Sequence, residues 1–309
     1  MEKKEELNEE NIKNNEIIDI EKKVENKSKK KFSIFGINIW RILAYFIIYS
    51  VLGYIIETIF SMITKGTWES RQSFLYGPFC AIYGVGAVIM IVFLQFFKKN
   101  NNTLFWGGFV IGSITEYVIS FLGEKLFNVI WWDYSNMPLN INGRICVFFS
   151  LFWGFLAIYL MSYVNPKIDK LIDWIKKKIS RKWLKCITAF TTLFLFIDFL
   201  ITGIALKVFY VRTIHNNNIQ VSSKEIIDNN YEKIYNNEDL SNFIYKFWND
   251  EKIIKTFPNL KTIDKEGNIV YFDMFFPDIK PYYHKFDQKW KGQLESILKQ
   301  ERENIEEGE

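Results

Sequence analysis

The chain has 309 residues, of which 49% are apolar and 18% aromatic, with six prolines and a formal charge of +4. Its mean hydropathy of −0.03 averages two unlike parts: residues 1–31 and 211–309 hold 27 of the 35 acids, while 40–164 hold only Glu57, Glu69, Glu116, Glu124 and Asp133. Charge pushed to the ends with long apolar runs between them indicates an α-helical polytopic membrane protein, and excludes a soluble dinucleotide-binding or hydrolase fold for the middle of the chain.

Residues 1–35 read as a disordered, charged cytoplasmic tail. The first 31 residues mix nine acids with nine lysines and have no apolar core, and no secretory signal is visible in them. A transmembrane domain over 36–210 follows, with about five helices at 40–63, 76–97, 103–123, 146–164 and 186–210, each long enough for roughly 30 Å of hydrocarbon. Lys and Arg divide 17 against 6 between the two sides, so the N-terminus is cytoplasmic and the C-terminal segment extracellular. Pro78 is placed in the first turn of the second helix, where its missing N–H costs nothing.

The stretch 165–185 reads as a cytoplasmic interfacial helix. Ile168, Leu171, Ile172, Ile175 and Ile179 recur at helical spacing, lysines fill the opposite face, and Trp174 and Trp183 lie near the ends. This pattern suits a helix lying on anionic lipid headgroups; the alternative is a coupling helix docked on an ATPase. Residues 211–309 read as a small α+β C-terminal extramembrane domain. Helical periodicity runs over 223–256, a strand at 269–272 follows a turn at 265–268, and the acidic last ten residues fray. Cys80, Cys146 and Cys186 lie in or beside apolar runs and read as small core residues, not a disulfide framework.

The first and third spans share a pattern. Gly53 and Glu57 match Gly112 and Glu116, and each span is followed by an external loop with tryptophan, an arginine and a glycine-containing span. The first copy reads Trp68, Arg71, Gly77-Pro78 and Gly84; the second reads Trp131-Trp132-Asp133-Tyr134, Asn142-Gly143-Arg144 and Trp153-Gly154. Both loops fall on one side, so the two hairpins form a parallel repeat. Glycine one turn before glutamate leaves a smooth strip for a neighbouring helix. A carboxylate inside a span costs a few kcal/mol and needs a polar partner. Counted along the helices, Glu57, Glu116 and Asp198 fall in the middle-to-outer bilayer, and Arg71 and Arg144 enter from the outer side. One reading pairs each glutamate with an arginine to fix packing. The other has these five residues line an outward-facing polar cavity for a cation or polar solute. Glu124, at its helix end, reads as interfacial. In the second loop, which also carries Asp133, Trp131, Trp132 and Tyr134 belong to the interfacial aromatic belt or stack on a sugar or lipid headgroup, and Asn142-Gly143 suits a tight turn before the fourth span.

The segments Glu57…Phe74-Leu75-Tyr76-Gly77-Pro78…Ile82-Tyr83-Gly84 and Trp131-Trp132-Asp133-Tyr134-Ser135…Asn140-Ile141-Asn142-Gly143-Arg144…Trp153-Gly154 resemble the putative ABC-transporter permease (type IV) family of clostridia-like Gram-positive bacteria. The resemblance covers roughly 40–275 and includes Thr256-Phe257-Pro258-Asn259-Leu260. Gln72 and Ser73 replace an expected Arg-Gly, and Ala81 stands where the family tends to have proline. The resemblance implies a permease-like role of uncharacterised specificity, with no substrate or catalytic residue to carry over.

The expected function is therefore a multi-pass permease-like component without its own ATPase, because no G-x-x-x-x-G-K-[ST] phosphate loop is present. It would work with a separate ATP-binding subunit, with a homodimer around a shared path as one arrangement, and without nucleic acid. The alternative is a membrane-anchored envelope scaffold or sensor whose C-terminal tail binds a partner. No enzyme is expected: His215 and His284 are the only histidines, both outside the spans, and no metal-ligand or triad spacing and no cofactor motif occurs.

Overall fold

The computed structural model describes residues 33–66, 68–127 and 130–280. Most of the expected N-terminal tail, His284 and the acidic last ten residues lie outside the described residues. The chain divides into two units, Met1–Ile42 and Leu43–Glu309. In the first, β1 (Ser33–Ile34) and β2 (Ile37–Asn38) form an antiparallel hairpin through Phe35-Gly36, both at positive φ. The Asn38 side chain then accepts the Trp40 N–H at 3.0 Å, opening the next helix.

That helix, α1 (Ile39–Lys65), runs 27 residues without a proline. After the coil 68–80 come α2 (Ala81–Leu94), extended by a 3-10 turn to Phe97, and α3 (Asn101–Phe127). A short hairpin, β3 (Asn140–Ile141) and β4 (Ile145–Cys146), leads into α4 (Val147–Tyr159). A π-helical turn at Leu160–Val164 joins α4 directly to α5 (Asn165–Lys178). After Ile179-Ser180, α6 (Arg181–Asn216) runs 36 residues, with the Ser180 side chain accepting from the Trp183 N–H.

Four of these helical stretches are long and apolar enough to cross a membrane, Val147–Lys178 counting as one. The second expected span is shorter than its apolar run. Its helix starts at Ala81, and Pro78 lies before it in coil. Residues 75 and 76 give their N–H groups to Thr202 and Asp198 of α6 instead of starting a helix.

The expected interfacial helix also differs. The Asn165-Pro166 pair looks like a break, because proline has no N–H for the preceding turn. The wider π-turn absorbs that defect, so α5 continues α4. Large apolar side chains such as Phe190, Leu193, Phe196, Ile197, Leu200 and Ile204 point outward from α6, as expected of a surface that lipid covers.

At about 54 Å, α6 is longer than a bilayer crossing needs, and its last turns enter a hydrophobic core of their own. Leu206, Phe209 and Ile214 of α6 pack with Ile227 of α7 (Lys224–Tyr235), Ile244 of α8 (Glu238–Phe247) and Ile253 of α9 (Asp250–Thr256). The three helices fall in the stretch of helical periodicity; Asn237 and Asn249 cap the last two by accepting N–H groups at 3.0 and 2.8 Å. A hairpin of β5 (Lys261–Ile263) and β6 (Ile269–Tyr271) closes the core with Phe272. Leu75 from the first loop belongs to the same core, and the Ile130 N–H donates to the Lys261 carbonyl at 2.9 Å. The two loops and the C-terminal helices therefore share one end of the molecule.

Candidate functional site

The repeat seen in the sequence is built twice, in more detail than glycine and glutamate alone suggest. On α1, Gly53, Glu57 and Ser61 rise one above another at four-residue steps; on α3, Gly112, Glu116 and Ser120 do the same. In each copy an aromatic side chain from the returning helix lies on the glycine and donates to the glutamate. Tyr83 covers Gly53, and its hydroxyl donates to Glu57 Oε1 at 2.5 Å. Trp153 covers Gly112, where an added Cβ would lie 2.5 Å from Trp153 Cγ, and its indole N–H donates to Glu116 Oε2 at 2.9 Å. The next residue in both copies is glycine, packed against a phenylalanine: Gly84 on Phe46, Gly154 on Phe105. The close approach allowed by glycine brings the aromatic donor within reach of the carboxylate.

The arginines stand one turn above the glutamates. Arg71 donates to Ser61 Oγ at 2.7 Å and pairs with Glu69 at 3.2 Å. Arg144 donates to Ser120 Oγ at 3.1 Å, pairs with Glu124, and lies over the rings of Tyr117 and Phe121. The expected ion pairs from Arg71 to Glu57 and from Arg144 to Glu116 are thus replaced by pairs with acids at the helix and loop ends, and Glu124 gains a defined partner. The two span glutamates receive only neutral donors among the described residues.

Tyr134 completes the second copy. Its hydroxyl donates to Glu116 Oε1 at 2.9 Å, and its ring stacks on Phe149. Burial first, then the neighbouring Glu116 charge, pushes the Tyr134 hydroxyl above its ordinary value, so it remains a protonated donor.

The second loop is shaped to hold Tyr134 there. Asn142 and Gly143 both take positive φ. A side chain at Gly143 would meet Asp133 Oδ1 and Ser135 Oγ, each 2.5 Å from an added Cβ. The Asp133 carboxylate accepts from the Ser135 N–H and hydroxyl at 3.0 and 2.6 Å, and the Tyr134 N–H donates to the Gly143 carbonyl at 2.8 Å. Asn142 donates to the Tyr117 hydroxyl, and the Trp132 indole N–H to the Arg144 carbonyl, at 2.9 and 3.1 Å. Trp131 packs over Gly123 and against the C-terminal core.

Asp198 is buried on α6 and serves the first loop. It accepts the Tyr76 N–H at 3.2 Å and the Thr202 hydroxyl at 3.3 Å, while Thr202 accepts the Leu75 N–H at 2.8 Å. It therefore fastens the loop ahead of α2 rather than sharing donors with Glu57 and Glu116. A surface cleft of about 420 Å³ beside Ile219, Asp264, Lys265 and Phe275 holds none of these candidates. Among the described residues no group of three or more His, Cys, Asp and Glu is placed to hold a metal ion, and Cys80, Cys146 and Cys186 are free thiols.

Chemically, this arrangement offers two carboxylates in the spans, each held by neutral hydrogen bonds. A family profile described as Putative ABC-transporter type IV matches residues 44–203, just over half of the chain. The chain belongs to this family. No curated protein and no solved structure matches it. As a member of the ABC-transporter type IV family, the protein is a transporter-like membrane protein. The family segment contains both copies of the glycine–glutamate–serine ladder and Asp198, and it ends before the helices of the C-terminal core.

Sequence reasoning found the glutamates and arginines but assigned no role to Tyr83, Trp153, Ser61 or Ser120. The signal was present. In both copies serine stands four residues after the glutamate, phenylalanine seven before the first glycine, and an aromatic residue directly before the glycine of the return helix.

Proposed function

We propose that this protein is a permease-like component of a transport system, and that Glu57 and Glu116 are the acceptors of a polar path for a cation or polar solute entering from the loop side. One observation supports this above others: two matching hairpins each hold a span carboxylate with neutral donors. A carboxylate that fixed packing as half of an ion pair would face an arginine. Here the nearby arginines bind serine and other acids instead.

In this reading α2 completes a set of five spans, and the two hairpins are parallel repeats about an axis along the membrane normal. The loops and C-terminal helices are external, and 165–185 faces anionic headgroups on the cytoplasmic side. ATP is hydrolysed by a separate subunit, and a homodimer surrounds the path. The test is affinity purification from native membranes with mass spectrometry of the proteins recovered. An ATP-binding subunit that co-purifies with wild type supports a transport complex; its absence under cross-linking conditions contradicts it.

A second reading, an envelope scaffold or sensor, has its own support. Leu240, Phe243 and Phe247 leave an exposed apolar and aromatic edge on α8, of the kind a protein partner covers. Recovery of an envelope protein lost on Phe243→Ser, with solute movement intact, favours that reading.

A further inference from the structure

The isoleucine face of α5 packs partly on protein, with Ile168 and Ile175 half-buried and Ile179 exposed at its end. Ile172 is buried, Tyr49 donates to Asn165 Oδ1 at 3.2 Å, and Tyr45 donates to Asp169. Successive residues of an α-helix are 100° apart, so Lys167, Leu171, Trp174 and Lys178 form one stripe beside that face, with Lys170 and Lys177 opposite it. All six are exposed, Trp174 by 57% and Leu171 by 42%.

We infer that this lysine, leucine and tryptophan stripe is a docking surface for anionic phospholipid headgroups. Its charge is complementary to such a surface. Residues 166–185 carry eight Lys and Arg against Asp169 and Asp173; Asp169 is bonded to Tyr45 and Asp173 to Lys176, on the other side of the helix. Its side chains also suit the depth. Long lysine stems cover apolar surface while the ammonium groups meet phosphate, and tryptophan favours the headgroup level. The stripe follows directly on Tyr159 and Tyr163, exposed and stacked at the end of the α4 run, where the aromatic belt of a span belongs. The inference rests on the membrane reading above, but contact with the lipid does not depend on which leaflet supplies it.

The test uses the full chain in detergent, titrated with phosphatidylglycerol or phosphatidylcholine and followed by native mass spectrometry. Lys167→Gln/Lys170→Gln/Lys178→Gln should bind phosphatidylglycerol more weakly, by about fivefold for each lysine removed, with phosphatidylcholine binding unchanged. Lys176→Gln, outside the stripe, should bind as wild type, and Trp174→Ala should weaken both lipids. Each variant is compared at an unchanged melting temperature, so that loss of fold is separated from loss of contact. Equal phosphatidylglycerol binding by the triple variant and wild type overturns the inference. So does unchanged lipid binding with loss of a co-purifying ATP-binding subunit, which assigns the surface to a protein. Labelling that places Lys176 outside the cell would overturn the orientation while leaving the lipid result standing.

Discussion

Replacing Glu116 separates its charge from its hydrogen bonds. One carboxylate oxygen accepts the Tyr134 hydroxyl at 2.9 Å, the other the Trp153 indole N–H at 2.9 Å. In Glu116→Gln, the amide oxygen takes the indole, which can only donate, and the amide nitrogen faces Tyr134, whose hydroxyl turns to accept. Both partners keep one hydrogen bond, the hydroxyl giving up its own donation, so the cost should be about 1 kcal/mol. Glu116→Leu fills similar space but leaves a buried hydroxyl and an indole N–H without acceptors. At about 1–3 kcal/mol each, the loss is roughly 2–6 kcal/mol. The assay is thermal unfolding of the purified chain in detergent, followed by tryptophan fluorescence, beside the activity or growth phenotype of the same variants. The expected result is near-native stability but lost function for Glu116→Gln, and lost stability for Glu116→Leu. A glutamine variant that unfolds like the leucine variant, or a leucine variant as stable as wild type, refutes the neutral-donor cradle.

Arg212, almost fully buried, donates to Asp250, the Tyr235 hydroxyl and the Trp248 carbonyl; Arg212→Met should cost about 3–5 kcal/mol, seen as a lowered melting temperature and faster hydrogen exchange in α7–α9. Gly112→Ala puts a methyl 2.5 Å from Trp153 Cγ and should destabilise by about 1–3 kcal/mol, whereas Gly86→Ala, with nothing within 4 Å of the new methyl, should be near neutral in the same melt. Asp228, outside the spans, is held below the usual carboxylate range by hydrogen bonds from Lys224 and then His215. A depressed carboxylate stabilises above its unfolded value of about 3.9 and loses that contribution as pH falls through its folded value. Hydrogen exchange at the α6–α7 junction should therefore rise below about pH 4 in wild type, and Asp228→Asn should flatten that acid response.

The apolar helices were legible because hydropathy is a local property: a run such as 186–210 faces lipid wherever its neighbours are. The start of α2 was not, because Leu75 and Tyr76 are held by Thr202 and Asp198, about 120 residues away in the chain. Glu57 and Glu116 stood out as acids inside spans, and one of the two readings of them paired each with an arginine. Opposite charge pointed to Arg71 and Arg144, whereas helix geometry sets those arginines against the serines one turn higher. The isoleucines of α5 revealed an amphipathic helix, but periodicity marks a buried face without distinguishing lipid from protein. Tyr45 and Tyr49, on a distant helix, bond Asp169 and Asn165 beside the buried Ile172 and bring protein against part of that face.

The most direct measurement is labelling of native membrane vesicles with a membrane-permeant carbodiimide, read residue by residue by peptide mass spectrometry. Glu57 and Glu116 should both be modified, and Tyr134→Phe should change the rate at Glu116, whose Oε1 accepts that hydroxyl. If neither glutamate reacts in the folded protein while both react after denaturation, the carboxylates are sealed into the packing and the polar path does not exist.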